Sequence, residues 1–306
     1  QIRALFPKTP AILELGAGSG RFALNLLSAL ETEGLPETYW IYEISPALCA
    51  AQKALLAEHN PEYLTHVRWL SDLPADFTGV IIANEVLDAL PVRCFIHTGS
   101  AVLERRVGLI ENQFDWICTD ISEENVRTKV EQLAVTYQFA DGYQFEINLT
   151  LNAFIERLAN CLTSGLILLA DYGYGQTEYY HPARARGTLT GFYQHRRLDD
   201  PFKYPGLQDI TAHVDFTQVI EIASQQGLQL AGFTNQAGFL LANQLMSLAQ
   251  RIELALTPAE QFTLHQAIKT LTLPSEMGEV IKIMSLSKGL ATPIATFLQP
   301  DRRRDL

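Results

Sequence analysis

The stretch ILELGAGSGRF, residues 12–22, decides the fold of this chain, because a glycine-rich turn separates a short apolar run from an amphipathic one. The apolar run predicts a buried strand, and RFALNLLSALE (residues 21–31) predicts the helix that follows it. A glycine-rich turn at such a junction permits positive φ angles and lets a ligand approach the backbone and the first N–H groups of the helix. The stretch therefore raises the question of which nucleotide the turn holds.

The spacing of the glycines argues against a dinucleotide and against a phosphate-binding loop. A dinucleotide fingerprint, G-x-G-x-x-G, would place its third glycine at position 21, which is Arg21. The chain instead has G-x-G-x-G, with Gly16, Gly18 and Gly20, and no Gly-Lys-Ser/Thr follows. The turn therefore favours a ligand without a pyrophosphate.

Two acidic residues flank the turn and indicate the ligand. Glu14 lies two residues before Gly16, where a carboxylate would repel a pyrophosphate but suits an ammonium group. Glu43 ends the second predicted strand, where an acid can accept both ribose hydroxyls. A competing interpretation, that both acids are only exposed strand-end charges, is weaker because they flank one turn. A ligand with a ribose, an ammonium and no phosphate describes S-adenosyl-L-methionine. The residues expected to bind it are Glu14, Gly16, Ala17, Gly18, Gly20, Glu43, Ile44 and Asn84.

Strands alternate with helices along most of the chain, which predicts an α/β fold with a doubly wound, mostly parallel sheet. Six strands follow this pattern, and IATFLQ (residues 294–299) is the candidate for a seventh, antiparallel edge strand. We expect a single domain over residues 1–306, with a β-rich insertion at about 92–145, a loop at 175–214 and a helical insertion at 243–285. GVIIANEVLDALP (residues 79–91) is predicted to be a strand that runs into a helical turn, and residues 238–271 are predicted to be helical.

Several motifs resemble one family. The pattern E-x-G-x-G-x-G resembles motif I of class I S-adenosylmethionine-dependent methyltransferases. Together, YEISPAL, ANEVLDALPVRCF, LLADYGYG, EYYHPARARGTL and QDITAHVDF resemble the MidA family, from about residue 11 to 243, with a weaker similarity at GEVIKIMSLSKG. The resemblance implies a Rossmann-like class I methyltransferase fold with seven strands. Members of this family usually have a helical segment before the first strand, and we expect such a segment to be missing from this chain.

The resemblance also implies an activity. Mitochondrial members of the family assist assembly of respiratory complex I and are implicated as protein-arginine methyltransferases. The first hypothesis is therefore a protein-arginine N-methyltransferase that acts on a partner protein, with a respiratory complex subunit as one candidate. Two alternatives stay open, because a fold does not fix a substrate: a small-molecule methyltransferase, and a cofactor-binding assembly chaperone with little turnover.

Polar side chains at the predicted carboxyl ends of the strands are the candidates for catalysis, since ligands of open α/β sheets lie there. Glu85 and Asp88, at i and i+3 on the predicted helical turn, could pair with a guanidinium, although either could simply cap a helix. Asp171 and Tyr172 end the fifth strand, and Tyr172 could equally be a core residue. His213 could be a base or a pocket wall, while a lone histidine is more often structural.

Composition narrows the partners and the compartment. The 23 basic and 34 acidic residues give a net charge of −11, which argues against a nucleic-acid partner. Cys49, Cys94, Cys118 and Cys161 are widely spaced, which predicts reduced thiols. No residues have metal-ligand spacing, and no apolar run is long enough to span a bilayer, so we expect no metal and no membrane span. We expect a cytoplasmic protein if the source is bacterial, or a matrix protein like its mitochondrial relatives, and leave a homodimer open.

Overall fold

The computed structural model describes residues 6, 10–31, 34–194, 196–290 and 299–306. The chain divides into two compact units. The first contains residues 1–86, 154–172 and 219–305, and the second contains residues 87–153, 173–218 and 306.

The strands and helices are numbered in chain order. The strands are β1 (Ala11–Leu15), β2 (Tyr39–Tyr42), β3 (Val67–Leu70), β4 (Phe77–Asn84), β5 (Arg93–His97), β6 (Val102–Ile110), β7 (Gln113–Thr119), β8 (Gln144–Ile147), β9 (Leu162–Tyr174), β10 (Thr190–Tyr193), β11 (Arg196–Leu198), β12 (Asp209–Thr211), β13 (Val214–Asp215), β14 (Gln229–Asn235) and β15 (Ile281–Lys288). The α-helices are α1 (Arg21–Leu30), α2 (Pro46–His59), α3 (Tyr63–His66), α4 (Glu124–Thr136), α5 (Leu151–Cys161), α6 (Gln176–Tyr179), α7 (Phe216–Gln225), α8 (Gln236–Ala242), α9 (Leu245–Glu253), α10 (Pro258–Thr272) and α11 (Met277–Val280).

A mostly parallel sheet forms the centre of the first unit, with strand order β14-β15-β9-β4-β1-β2-β3. β1 pairs in parallel with both β2 and β4, so the strand order reverses direction beside β1. In open α/β sheets, this reversal leaves a crevice at the carboxyl ends of the strands where ligands bind. The predicted α/β fold with a mostly parallel sheet is thus confirmed, and the glycine turn lies at its reversal point. Seven strands form the order above, and the two-residue β13 pairs with β9 as an eighth.

The one antiparallel strand of this order is β15, which pairs with β9 on one side and β14 on the other. The antiparallel strand is expected at an edge of the sheet, but β15 is an internal strand. The segment predicted for that role, IATFLQ (residues 294–299), lies outside the described residues apart from Gln299. β15 itself, IKIMSLSK, begins inside the helical insertion predicted over residues 243–285 and extends beyond its end.

The second unit contains the predicted β-rich insertion as an antiparallel sheet of order β7-β6-β5-β8. Residues 175–214, predicted to be a loop, contain regular secondary structure. This stretch contains α6, a 3-10 turn at Pro182–Arg184 and a three-stranded antiparallel sheet of order β11-β10-β12. Its strands are only three or four residues long, which is too short for an alternating apolar pattern to be visible.

Local backbone geometry changes two other predictions. The helical stretch predicted over residues 238–271 is broken into α8, α9 and α10, because Gln244 has a left-handed φ of 67° and Thr257 forms a capping box at the start of α10. The helical turn predicted directly after β4 does not include Glu85, which leaves the strand with a φ of 51°. A single hydrogen-bonded turn follows, in which the N–H of Leu90 donates to the carbonyl of Leu87 (3.2 Å). Within the described part of the chain, no helix is both long and apolar enough to cross a membrane.

Candidate active site

The glycine turn after β1 is left-handed at each of its three glycines. Gly16, Gly18 and Gly20 have φ angles of 61°, 51° and 82°, which residues with a side chain rarely adopt. The Gly16 N–H donates to the carbonyl of Tyr42 (3.0 Å), and the Gly20 N–H donates to the carbonyl of Ala17 (2.8 Å). A Cβ placed at Gly18 would have no protein atom within 4 Å. The turn is therefore compact and leaves space beside Gly18 for a ligand.

Glu14 is the penultimate residue of β1, two residues before Gly16, and is only 4% exposed. One of its carboxyl oxygens accepts a hydrogen bond from the Tyr39 hydroxyl on the neighbouring strand (2.6 Å). Burial raises the pKa of Glu14, the hydrogen bond from Tyr39 lowers it and the charge of Glu43 raises it, and together these effects place the pKa at about 7. Glu14 is therefore a buried acid that titrates near neutral pH.

The carboxylate of Glu43 follows β2 and is held by contacts at both oxygens. The backbone N–H of Ser45 donates to Oε1 (3.0 Å), and the side-chain amide of Gln52 donates to Oε2 (3.2 Å). Ser45 also caps α2 as predicted, since its hydroxyl accepts from the N–H of Leu48 (3.3 Å). Next to Glu43, the apolar side chain of Ile44 is 83% exposed. An acid with fixed oxygens thus lies beside an uncovered apolar residue.

Sequence reasoning missed Gln52, which is fully buried on α2 and connects Glu43 to the glycine turn. A signal for it exists in the sequence. Gln52 and Leu56 are the two buried residues of this helix and lie four positions apart, so a polar residue occupies a core position. A buried polar group requires hydrogen-bond partners, and such a position predicts a local network.

The end of β4 presents Asn84 and Glu85 as exposed side chains. Glu85 combines its left-handed φ with a hydrogen bond from its N–H to the carbonyl of Ala170 on β9 (2.8 Å). Although the residue is exposed, protein atoms that surround its carboxyl group raise its pKa above the usual value for a glutamate. A non-glycine residue in this conformation is uncommon, and such residues cluster at functional sites.

Asp171, on β9, is fully buried, and its carboxyl oxygens accept hydrogen bonds from two backbone N–H groups. Its oxygens accept from the N–H of Val86 (3.1 Å) and from the N–H of Tyr172 (2.9 Å). Asp171 therefore fastens the residue after Glu85 to the neighbouring strand. Tyr172 packs against an apolar cluster that includes Val80 and Ile281.

The other two predicted catalytic residues belong to the second unit. Asp88 is 6% exposed, and its carbonyl accepts from the N–H of Ala212 (3.0 Å). His213 is half-buried, and its backbone N–H donates to the Thr188 hydroxyl (3.0 Å). The centre of its imidazole ring lies 5.3 Å from that of the Tyr174 ring. The first unit thus contains Glu85, Asp171, Tyr172 and all the predicted cofactor residues. The catalytic roles of these residues stay predictions.

The groups around the turn fit an adenosine-type ligand that carries an ammonium. The turn offers open space at Gly18, Glu43 offers a carboxylate with fixed oxygens, and Glu14 offers an acid able to carry a negative charge near neutral pH. The acids do not suit a pyrophosphate. Within the described ranges, no cluster of three or more metal-binding side chains is present.

Comparison with known proteins is consistent with this chemistry. Residues 1–234 match the family model described as "Putative S-adenosyl-L-methionine-dependent methyltransferase". A solved structure from Burkholderia thailandensis, bound to S-adenosyl-homocysteine, is 34% identical to this chain and covers 97% of it, with a TM-score of 0.89. The chain covers 76% of that protein.

Curated relatives share lower identity over most of the chain. The mitochondrial protein arginine methyltransferase NDUFAF7 homolog of Drosophila melanogaster is 26% identical over 93% of this chain and 69% of its own length. The mitochondrial protein arginine methyltransferase NDUFAF7 of Danio rerio is 24% identical over 94% of this chain and 74% of its own length.

Proposed function

The chain belongs to the MidA-like family of S-adenosyl-L-methionine-dependent methyltransferases, and on that premise we propose that it methylates an arginine side chain of a partner protein. Its cofactor, S-adenosyl-L-methionine, supplies an activated methyl group on a sulfonium. The observation that supports an arginine acceptor is the exposed carboxyl group of Glu85, a residue with a left-handed backbone conformation at the carboxyl end of β4. The names of the curated relatives support the same acceptor.

Glu85 suits a guanidinium for reasons of charge and shape. A guanidinium has a pKa above 12 and presents a planar fork of N–H donors, which a carboxylate can accept in pairs. Such a pair localises the positive charge on two nitrogens and leaves the third richer in electrons. It also offsets the repulsion between a cationic acceptor and a cationic donor in a partly dry pocket. A neutral acceptor such as a phenol would not need this acid.

Asp171 acts in this proposal as a positioning residue. Its two oxygens are occupied by the N–H groups of Val86 and Tyr172, so it fixes the backbone beside Glu85. We propose that this contact, together with the Glu85 N–H bond to Ala170, holds Glu85 in its uncommon backbone conformation. Asp88 and His213, which belong to the second unit, stay catalytic candidates on the sequence pattern alone.

Replacement of Glu43 tests the proposed ribose contact. A bidentate, charge-assisted pair of this kind is worth roughly 1.5–3 kcal/mol in total. Glu43→Ala should therefore weaken the binding of S-adenosyl-homocysteine about ten- to a hundredfold, measured by calorimetry. The matched control is Glu37→Ala, which removes an exposed glutamate two residues before the start of the same strand. A change below twofold for Glu43→Ala would show that the ribose is held elsewhere.

Glu14 should make cofactor binding depend on pH. Its carboxyl group is neutral below its pKa of about 7 and anionic above it, and only the anion attracts the ammonium of the ligand. Affinity for S-adenosyl-homocysteine should therefore rise roughly tenfold between pH 6 and pH 8. Of its neighbours, Tyr39 stays neutral over this range, because its pKa is raised well above its usual value. Glu14→Gln should bind with a flat profile, and an equally steep profile in that variant would assign the titration to another group.

Transfer of a labelled methyl group tests the proposed reaction. The protein is incubated with labelled S-adenosyl-L-methionine and an extract of cells that lack this chain, and labelled protein is hydrolysed to amino acids. Label in methylarginine supports the proposal. Label confined to small molecules would instead establish a small-molecule methyltransferase, and no transfer beyond a blank would favour a cofactor-binding assembly factor.

A further inference from the structure

We propose that Gln52 is a positioning residue that fixes the Glu43 carboxylate against the glycine turn and thereby sets the affinity for the ribose. The inference rests on the proposed contact between Glu43 and the ribose, and it concerns a residue that does not itself touch the ligand. Its basis is a hydrogen-bond network around one fully buried amide.

The amide of Gln52 connects three elements of the first unit. Its nitrogen Nε2 lies 2.9 Å from the carbonyl oxygen of Gly18 in the turn and 3.2 Å from Oε2 of Glu43 after β2. Its oxygen Oε1 accepts from the indole N–H of Trp69 on β3 (2.8 Å). A single side chain on α2 therefore connects the turn to the carboxyl ends of two neighbouring strands.

Trp69 determines the orientation of the amide. An indole N–H can only donate, so the Gln52 atom that faces it must be the oxygen. The amide NH2 group then faces Gly18 and Glu43, which both present acceptors, and each of its hydrogens has one partner. In the opposite orientation, the amide NH2 would face the N–H of Trp69, and the amide oxygen would face the oxygens of Gly18 and Glu43. Donor would then repel donor and acceptor would repel acceptor, so the network has one stable arrangement.

The glycine at position 20 lets Gln52 approach the turn. A Cβ at Gly20 would lie 3.1 Å from Cγ of Gln52 and 3.3 Å from its Cα and Cβ. These contacts are tighter than ordinary van der Waals distances, and one involves the helix backbone. Gly20 is thus required both by its positive φ and by the close approach of α2.

The network also leaves Glu43 able to bind a ligand. Ser45 donates to Oε1 and Gln52 donates to Oε2, and each carboxylate oxygen can accept about two hydrogen bonds. One acceptor position on each oxygen therefore remains for a pair of ribose hydroxyls. Because both oxygens are fixed before a ligand arrives, little side-chain entropy is lost on binding.

Gln52→Leu tests the inference, since it replaces the amide by an apolar side chain of similar size and removes both donors. Without its bond to Gln52, Glu43 can rotate away, so affinity for S-adenosyl-homocysteine should fall about tenfold. The preference for S-adenosyl-homocysteine over its 2′-deoxy analogue should also decrease. A purely structural role would weaken both ligands equally. Lys53→Met is the matched control, because Lys53 follows Gln52 on α2 and contacts the Trp69 ring (5.0 Å) without joining the network.

Trp69→Phe provides a second variant that keeps the aromatic ring and removes the N–H that orients the amide. It should weaken the binding of S-adenosyl-homocysteine about threefold, and its preference over the 2′-deoxy analogue should decrease as well. Thermal denaturation of each variant establishes that it is folded. If Gln52→Leu does not fold, the two measurements on Trp69→Phe decide the inference by themselves.

A double-mutant cycle with Glu43→Ala separates the two proposals. If Gln52 acts through Glu43, Gln52→Leu should cost little further affinity once Glu43 is alanine. Equal losses in the two backgrounds would overturn the role of Gln52 while leaving the ribose contact intact. An unchanged affinity for Glu43→Ala alone would instead overturn the ribose contact.

Discussion

Glu85→Gln should leave affinity for S-adenosyl-homocysteine unchanged and lower methyl transfer about a hundredfold or more. The substitution keeps the shape of the side chain, and both residues bear the same cost of a left-handed backbone. It removes the negative charge that is proposed to pair with the acceptor guanidinium. Loss of one preorganised electrostatic group typically lowers turnover by about 10²- to 10³-fold.

The control for this variant is Glu58→Gln, which changes an exposed glutamate on α2 in the same way. Transfer and cofactor binding are measured in parallel for both variants. Full transfer by Glu85→Gln with unchanged cofactor binding would rule out a guanidinium held by this residue. Loss of cofactor binding would show that Glu85 belongs to the cofactor site instead.

Gly16→Val should lower affinity for S-adenosyl-homocysteine at least about a hundredfold, to a level that calorimetry does not detect. Gly16 has a φ of 61°, which a β-branched residue strongly disfavours. A Cβ at this position already lies 3.4 Å from the side chain of Val86. The larger valine side chain must therefore either project from the turn or move the turn away from Val86. Either change would distort the surface on which the cofactor is proposed to lie.

Backbone strain alone must be separated from loss of the site. Gly142→Val is the matched control, because Gly142 has a φ of 82° and a Cβ there would meet no atom within 4 Å. Strain of this kind costs on the order of 1–3 kcal/mol, against a typical stability of about 5–15 kcal/mol. Both variants should therefore stay folded by circular dichroism. Retained affinity in a folded Gly16→Val would mean that the turn is not the cofactor site.

The sequence could predict the central sheet because its signals are local. The turn at Gly16, Gly18 and Gly20 needs positive φ angles, and all three glycines have them. Glu14 lies near the end of β1 and Glu43 directly follows β2, and the apolar runs determine the positions of both strands. The network around Gln52 depends on partners 34, 9 and 17 residues away along the chain, so spacing alone could not reveal it.

Other features could not be predicted because tertiary contacts override the local pattern. The apolar-polar sequence around Glu85 is compatible with a helical turn. The Glu85 N–H, however, donates to the carbonyl of Ala170 on β9, a strand far away in sequence but adjacent in the sheet, and this bond fixes a left-handed exit from β4. Similarly, β15 directly follows the run of helices from α8 to α11 and gains its hydrogen bonds from β9 and β14. Pairing between segments far apart in sequence has no signature in a single sequence window.

Methylarginine in the proteins of living cells tests the proposed acceptor most directly. Mass spectrometry compares cells that contain this chain, cells that lack it and cells that contain Glu85→Gln at equal abundance. We predict arginine methylation sites that are present only with the unaltered chain and are strongly reduced in both other strains. Identical arginine methylation in all three strains would contradict the proposed protein-arginine methyltransferase.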